Sequence, residues 1–179
     1  MKNLCLAICV LGAIVQLTTA TDTSEKSFVL RVTEVKEVSN EKYVKISGTS
    51  VNNNECGYKT NFTIVQTMSD DVICETTFFR QTDEGFEQCP LSIAPQPCCE
   101  ALKNNIIYKQ VLENQNFPPE CPVPPGNYFI ENSIANTSNI SKDIPRGNYR
   151  AVFSVKQNET MIYMLELNWK IEDKTIQNQ

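Results

Sequence analysis

Cysteine is the residue type in this chain best suited to chemistry. Eight cysteines are present, and six of them follow residue 20: Cys56, Cys74, Cys89, Cys98, Cys99 and Cys121. An even number of cysteines in an exported chain predicts disulfide bonds, with the connectivity left open. Metal binding is the alternative, and it is disfavoured because the sequence has no histidine and no Cys-x-x-Cys pair. A bridge between the adjacent Cys98 and Cys99 would strain the backbone, so we expect each to bond elsewhere.

The other side chains give little basis for catalysis. The absence of histidine removes Ser-His-Asp and Cys-His activation of a nucleophile. A carboxylate pair could still support glycosidase-type chemistry. However, the acidic neighbours Asp70–Asp71 and Asp83–Glu84 fall in predicted turns, where charged side chains are solvated. We therefore predict no enzyme, no catalytic residue, no metal and no cofactor.

Residues 1–20 have the pattern of a secretory signal peptide. Lys2 precedes an apolar run over residues 4–17, and Thr18, Thr19 and Ala20 supply small residues before a cut. The run is too short for a membrane span, which disfavours an uncleaved anchor. Residues 21–179 then form one domain, which we predict to be secreted and extracellular, without a transmembrane segment. The net charge of −5 disfavours nucleic acid as a partner.

Four Asn-x-Ser/Thr sequons agree with export, and we predict glycosylation at Asn61, Asn136, Asn139 and Asn158. Asn136 and Asn139 lie in a loop over residues 136–143. That loop could rim the mouth of a binding site or be a plain surface connection, and the sequence does not decide between them.

Alternation of apolar and polar residues predicts strands along most of the chain. It is clearest over residues 161–171, where one face carries Met161, Tyr163, Leu165, Leu167, Trp169 and Ile171. Further strands are predicted over residues 28–38, 43–51, 59–68, 72–80, 128–134 and 149–155. Short strands joined by turns predict an all-β fold, an immunoglobulin-like two-sheet antiparallel sandwich. The one predicted helix covers residues 97–107, because Pro97 suits a first turn and Cys99, Leu102 and Ile106 share a face.

One turn device occurs twice in the second half of the chain. Residues 124–128 read Pro-Pro-Gly-Asn-Tyr, directly after Cys121-Pro122-Val123, and residues 145–149 read Pro-Arg-Gly-Asn-Tyr. In each copy the proline fixes φ, the glycine supplies the turn, and a strand is predicted to begin at the tyrosine. This chemistry specifies β structure and no activity.

The same residues carry a family resemblance. Cys121-Pro122, Gly126-Asn127-Tyr128 and Pro145-Arg146-Gly147-Asn148-Tyr149-Arg150 resemble the C-terminal half of the ganglioside-activator branch of the ML lipid-recognition family. They are still more similar to that branch's insect secreted relatives, the chemosensory B-type proteins. The resemblance covers the chain from about Cys89 onward. It implies a β-cup sandwich that holds a lipid or another apolar molecule between its two sheets.

The resemblance also implies disulfide pairings. They are Cys89 with Cys98, Cys99 with Cys121, and Cys56 with Cys74. Ganglioside activators have further cysteines near the Cys-Pro and in the last strand, which this chain lacks. That departure weighs against a lysosomal activator role and favours the insect relatives.

The large apolar residues of the predicted strands are the candidates for the ligand site. They are Phe28, Leu30, Phe62, Ile64, Tyr128, Ile130, Tyr149, Phe153, Leu165, Leu167 and Trp169. On the pattern alone these side chains would fill one another's space as a packed core. The resemblance instead implies that they surround an apolar cavity.

We therefore predict a secreted, non-catalytic binder of a lipid or a similar small apolar molecule, and the resemblance implies a setting in chemosensation or pheromone handling. The first alternative is a secreted protein–protein interaction module with a solid core and an exposed apolar patch. The second is a lysosomal lipid-presenting activator. No receptor can be named from the sequence.

Overall fold

The computed structural model describes residues 28–52, 57–90, 92–105, 108, 112, 115–118, 120–131 and 141–174. The elements within them are β1 Phe28–Ser39, β2 Val44–Asn52, β3 Gly57–Ile64, β4 Ile73–Thr82, β5 Gly85–Gln88, β6 Ile93–Pro97, α1 Cys98–Asn104, β7 Gly126–Glu131, β8 Gly147–Gln157 and β9 Thr160–Asp173. Residues 1–27, and with them the predicted signal peptide, lie outside the described residues.

The strands form two antiparallel sheets. The first has the order β1-β9-β8-β4-β5, with β6 also paired to β4, and the second has the order β2-β3-β7. β5 and β6 share one edge of β4, since β6 pairs near its beginning and β5 near its end. The prediction of an all-β two-sheet sandwich with one short helix is confirmed.

The seven predicted strands are present with small shifts of their ends, and two strands were not predicted. β5 is four residues long and exposed throughout, so it shows no alternation. β6 contains two prolines, Pro95 and Pro97, which argue against a central strand. It is tolerated because it lies at an edge of β4. The helix is shorter than predicted and ends at Asn104.

The repeated turn device has a shared hydrogen bond that the sequence did not reveal. The Tyr128 hydroxyl donates to the carbonyl of Pro124 at 2.8 Å, and the Tyr149 hydroxyl donates to the carbonyl of Pro145 at 2.7 Å. Each tyrosine therefore ties the first residues of its strand to the proline four positions earlier, in the manner of a tyrosine corner. The glycine of the second copy has φ +139°, which an L side chain rarely adopts.

We expect Tyr149→Phe to lower the free energy of unfolding by about 1 kcal/mol, because it removes one buried hydrogen bond and keeps the ring. Tyr149 is buried whereas Tyr128 is only half-buried. The matched Tyr128→Phe variant, where water can replace the lost partner, should therefore lose less. Urea unfolding of both variants measures the difference, and equal losses would contradict the burial argument.

The core has two parts. A buried cluster, called here the solid end, consists of Phe28, Leu30, Ile144, Tyr149, Trp169 and Ile171. Within it the Trp169 ring stacks on Tyr149 with centroids 5.9 Å apart, and it meets Phe78 edge-on at 6.4 Å. The second cluster surrounds α1 and includes Val44, Val72, Cys74, Cys98, Ala101, Tyr108, Val155 and Ile162.

The alternation in β9 shifts near its start. Met161 is exposed, whereas Ile162 is only 1% exposed and points into the core. The pairing of β8 with β9 is irregular between Val155 and Lys156, and a bulge at such a place moves the following residues to the other face. The predicted inward position of Met161 is therefore wrong, and that of Leu165 and later residues holds.

The cysteines are arranged differently from the implied pattern. The structure contains the Cys99–Cys121 disulfide, which joins α1 to the segment before β7. Cys98 has a free thiol, so the implied Cys89–Cys98 bridge is not formed. Cys74 also has a free thiol, so the implied Cys56–Cys74 bridge is not formed either, and Cys56 lies outside the described residues. The reason is the pairing of β6 with β4, which brings Cys98 beside Cys74.

Two of the four sequons lie in the described part of the chain, and both asparagines are exposed. Asn61 lies on β3, and Asn158 lies at the tip of the β8–β9 hairpin with φ 47°. Asn136 and Asn139 lie outside the described residues. Within those residues, no helix has the length and apolar character required to cross a bilayer.

Candidate binding cavity

A cavity of about 250 Å³ lies between the two sheets and is partly open to solvent. Side chains from both sheets, from α1 and from the segment that follows α1 surround it. The lining residues are Leu30, Val44, Tyr58, Phe62, Ile64, Met68, Cys74, Thr76, Phe78, Cys98, Leu102, Tyr108, Leu112, Phe117, Ile130, Ala151, Phe153, Val155, Ile162, Tyr163, Leu165, Leu167 and Trp169.

Most of the predicted candidates line this cavity. Those that do are Leu30, Phe62, Ile64, Ile130, Phe153, Leu165, Leu167 and Trp169. Phe28 and Tyr149 do not line it; they belong to the solid end, of which only Leu30 and Trp169 also reach the cavity. Tyr128 does not either, since its hydroxyl is held by Pro124 and its ring lies 5.3 Å from that of Phe117. The sequence could not separate the hollow part of the core from the solid part.

β4 supplies lining residues that were not predicted. Cys74, Thr76 and Phe78 alternate along it and all reach the cavity. Their period of two was visible in the sequence, but a thiol and a hydroxyl do not mark a buried face as clearly as aliphatic residues do. Leu102 was placed on the predicted helix but not assigned to the site, and Tyr108, Leu112 and Phe117 lie outside every predicted element.

The cavity exists because the two sheets meet along one side only. β1 and β2 are consecutive strands at neighbouring edges of the two sheets, joined by a turn in which the Tyr43 and Val44 amides donate to the Asn40 carbonyl. On the opposite side the edge strands are β7 in one sheet and β5 and β6, both paired to β4, in the other. α1 and the described residues between it and β7 (105, 108, 112, 115–118 and 120–125) lie between these edges and form the wall of the cavity.

Two side-chain amides attach this wall to β7. Gln115 accepts from the Glu131 amide at 2.9 Å and donates to the Glu131 carbonyl at 2.8 Å. Asn116 accepts from the Phe129 amide at 2.8 Å and donates to the Asn127 carbonyl at 3.0 Å. The two side chains thus satisfy the free backbone groups of an edge strand as another strand would.

The other end of the wall is anchored to the first sheet. The Cys98 amide donates to the Val72 carbonyl, next to the start of β4, at 2.8 Å. The Cys99–Cys121 disulfide joins α1 to the segment in which Val123, two residues after Cys121, pairs with Met68 in the connection between β3 and β4. The wall is therefore held at both ends, by backbone and disulfide on one side and by side-chain amides on the other.

We expect the double variant Gln115→Ala, Asn116→Ala to shorten the residence time of any bound molecule. Four hydrogen bonds to β7 are lost, at about 1 kcal/mol each when fully formed and less where water replaces them. Dissociation of a fluorescent fatty acid, followed by stopped flow, should accelerate by about tenfold or more.

Asn148→Ala is a matched control for the wall variant, because Asn148 donates to Gln81 on the outer surface at 2.6 Å. That variant should leave the dissociation rate unchanged. Equal acceleration in both variants would show that the wall does not retain the ligand.

The buried Trp169 Nε1 has no hydrogen-bond partner among the described residues, whereas the following polar groups beside the cavity bond to one another. The hydroxyls of Thr76 and Tyr108 are 2.8 Å apart. Burial raises the pKa of Tyr108, as it does that of Tyr163. The Tyr163 hydroxyl donates to Glu37, whose other carboxylate oxygen accepts from Thr60 at 2.9 Å. These groups are neutral or satisfied, so they do not demand a charged ligand.

The lining is thus aromatic and aliphatic, and among the described residues that form it none is acidic or basic. A hydrocarbon chain or ring system gains free energy in such a site, at about 25 cal/mol for each Å² removed from water. A charged group would lose its hydration without a partner. The fold and site define an all-β sandwich with an apolar cavity between its sheets.

Comparisons with known proteins found similarity to one family model and to solved structures. A family model described as a protein of unknown function, DUF1091, matches residues 74–151, from the beginning of β4 to Ala151 in β8. Among solved structures the chain is similar to a Niemann-Pick type C2 protein from the Japanese carpenter ant. The sequence identity is 11%, the TM-score is 0.31, and the match covers 78% of this chain and 90% of that chain. No curated protein matches. At this level the similarity carries no conclusion about function.

Proposed function

We propose that this chain is a secreted, non-catalytic binder of a lipid or a similar small apolar molecule. The observation that carries the proposal is the cavity of about 250 Å³ with its aromatic and aliphatic lining. Export is supported by the pattern of residues 1–20 and by the sequons, of which Asn61 and Asn158 are exposed.

The free energy of an empty cavity favours an occupant. Voids in protein cores cost about 24 cal/mol per Å³, so leaving 250 Å³ empty would cost about 6 kcal/mol. A single domain has only about 5–15 kcal/mol of net stability. A bound chain restores the missing contacts, and each buried methylene adds about 0.8 kcal/mol. Binding and folding are therefore coupled, and a ligand should raise the unfolding temperature.

The ligand's polar group should remain at the mouth of the cavity. The hydroxyls of Thr76 and Tyr108 are already paired with each other, and burying an unpaired polar group is costly. Molecules with a long apolar part and one small polar end, such as fatty acids, fatty alcohols or their esters, fit this description. Together with the resemblance of residues 121–150 to the chemosensory B-type proteins, it supports a role in handling apolar signals outside cells.

Trp169 provides a direct test, because it is the only tryptophan in the chain and lines the cavity. We expect titration with a long-chain fatty acid to change the wavelength or intensity of its emission and to saturate at one equivalent. The matched short-chain acid, which has the same head group and little apolar surface, should bind at least 100-fold more weakly. No change with any apolar ligand would favour a surface interaction module instead.

A further inference from the structure

The pairing of β4 with β6 places two reduced cysteines side by side. Cys74 lies opposite Gln96 in this antiparallel pair, and Ile73 lies opposite Pro97. The ladder continues one step further, since the Cys98 amide donates to the Val72 carbonyl at 2.8 Å. Cys98 is therefore two residues beyond the partner of Cys74, which makes the two cysteines diagonal neighbours on one face.

Both cysteines point to the interior of the sandwich. Cys74 is 3% exposed and Cys98 is 7% exposed. They belong to the same buried cluster and both line the cavity. The two thiols are near enough for each to shift the pKa of the other.

The surroundings make the two thiols unequal. Hydrogen bonds from Cys98 and Tyr108 lower the pKa of Cys74, against the opposing effect of burial. The hydrogen bond to Cys74 and burial raise the pKa of Cys98 far above its ordinary range. The thiolate is the nucleophile in disulfide exchange, and in the docked arrangement Cys74 is the more readily ionised of the two thiols.

We propose that Cys74 and Cys98 form an intramolecular disulfide in the exported protein, linking the beginning of β4 to the beginning of α1. This inference rests on the export proposed above, because a stable disulfide requires an oxidising compartment. It replaces both implied pairings that involve these residues, Cys89–Cys98 and Cys56–Cys74.

The oxidant is a small disulfide such as glutathione disulfide. The Cys74 thiolate attacks one of its sulfur atoms, breaks the S–S bond and releases one glutathione thiolate, which leaves a mixed disulfide. The Cys98 thiol then loses its proton, attacks the Cys74 sulfur and releases the second glutathione. Two cysteine thiols are oxidised and one disulfide is reduced to two thiols, which carry the two protons. Since both cysteines are buried once folded, the exchange occurs before α1 docks.

This bond would complete the attachment of the cavity wall. Cys99, the next residue, is already bonded to Cys121. With Cys98 bonded to Cys74, the two adjacent cysteines would tie the start of α1 to the first sheet and to the segment before β7. The wall would then be covalently fixed at the end opposite to Gln115 and Asn116.

The test is peptide mapping of the full chain secreted from eukaryotic cells. Free thiols are blocked with N-ethylmaleimide under denaturing, non-reducing conditions before digestion. We expect Cys74 and Cys98 to remain unlabelled and to appear in one cross-linked species that is two hydrogens lighter per bridge than its reduced peptides. Labelling of Cys74 or Cys98 in the wild type, or fragment ions that join Cys98 to Cys89, would overturn the proposal.

Two variants resolve the adjacency of Cys98 and Cys99, which share a peptide. In the Cys99→Ser, Cys121→Ser variant, Cys98 is the only cysteine of its peptide and should still be found bonded to Cys74. In Cys74→Ser, one new site should react with N-ethylmaleimide, and it should be Cys98. If the variants are not secreted, the wild-type fragment ions decide alone.

The outcome is distinguishable from that of the proposed function. A Cys74–Cys98 bridge in a protein that binds no lipid would support this inference and contradict the binding function. Lipid binding by a protein whose Cys98 is labelled would support the binding function and contradict this inference.

Discussion

Replacing Ala151 with phenylalanine should weaken binding of a long-chain lipid by about 100-fold and leave the protein folded. Ala151 lies in the middle of β8, opposite Leu167 and Phe78, and its small side chain lines the cavity. A benzyl group at this position points into the existing space. It displaces roughly three to four methylenes of a ligand, at about 0.8 kcal/mol each, which corresponds to a factor of about 100 in Kd.

The stability of this variant should be unchanged or increased. Filling a void with an apolar group recovers contacts that the empty cavity lacks, in the opposite sense to cavity creation. Loss of binding together with normal unfolding would therefore show that the ligand occupies the cavity. Titration monitored by Trp169 emission gives the Kd, and urea unfolding gives the stability.

Val152→Phe is the matched control for the Ala151 variant. Val152 is the next residue of the same strand and alternates to the outer face of the sheet, opposite Thr77 and Glu166. The same side chain added there should not change the Kd. If Val152→Phe weakens binding as much as Ala151→Phe does, the ligand binds the outer surface and the cavity assignment is wrong.

The solid end and the cavity should respond differently to truncation. Ile171 is completely buried within the solid end, so Ile171→Ala leaves a new void in close packing and should destabilise the protein by about 4 kcal/mol. Leu167 lies four residues earlier on the same face of β9 and borders the cavity. Part of its surface already lacks protein neighbours, so Leu167→Ala should cost only about 2 kcal/mol.

Urea unfolding of the ligand-free proteins measures both values. If Ile171→Ala prevents secretion, the smaller change Ile171→Val takes its place, and we expect it to cost about 1 kcal/mol. Its free energy of unfolding is then compared with that of Ile162→Val in the second cluster. Equal losses for Ile171→Ala and Leu167→Ala would mean that the two parts of the core are packed alike and that the cavity is filled by protein. A bound ligand should raise the free energy of unfolding of the wild-type protein as a whole, and not that of one part of the core selectively.

The fold class could be predicted because the strands carry their own pattern. β8 and β9 alternate over most of their length, and a period of two determines which side chains share a face. Phe153, Leu165 and Leu167 were placed inside for that reason, and they line the cavity. The shift at Met161 was missed because a bulge depends on how two strands pair, and the sequence of one strand does not specify its partner.

The wall of the cavity could not be predicted for a different reason. Gln115 and Asn116 are polar residues in a proline-rich stretch, and their role depends on the edge of β7, which follows them in sequence and was not assigned to an edge. Two of the three implied cysteine pairings, Cys89–Cys98 and Cys56–Cys74, are not formed for a similar reason, whereas Cys99–Cys121 is. Cys98 meets Cys74 because β6 pairs with β4, and β6 was not predicted since its prolines resemble a loop.

The division of the core explains how one sandwich can be both stable and hollow. At the solid end, aromatic stacking between Tyr149 and Trp169 and the Tyr149–Pro145 hydrogen bond fix the strands. Around α1 the sheets separate, and the wall covers the space without filling it. Stability from the first part offsets the void in the second, which leaves the cavity available for a ligand.

Native mass spectrometry of the protein secreted from eukaryotic cells tests the central claim most directly. We predict one apolar molecule of lipid size bound to each wild-type chain, identified in an organic extract, and absent from the Ala151→Phe variant prepared in parallel. The Val152→Phe variant should retain it. A wild-type protein that is folded, carries no such molecule and takes none up from fatty acids or fatty alcohols would contradict the claim.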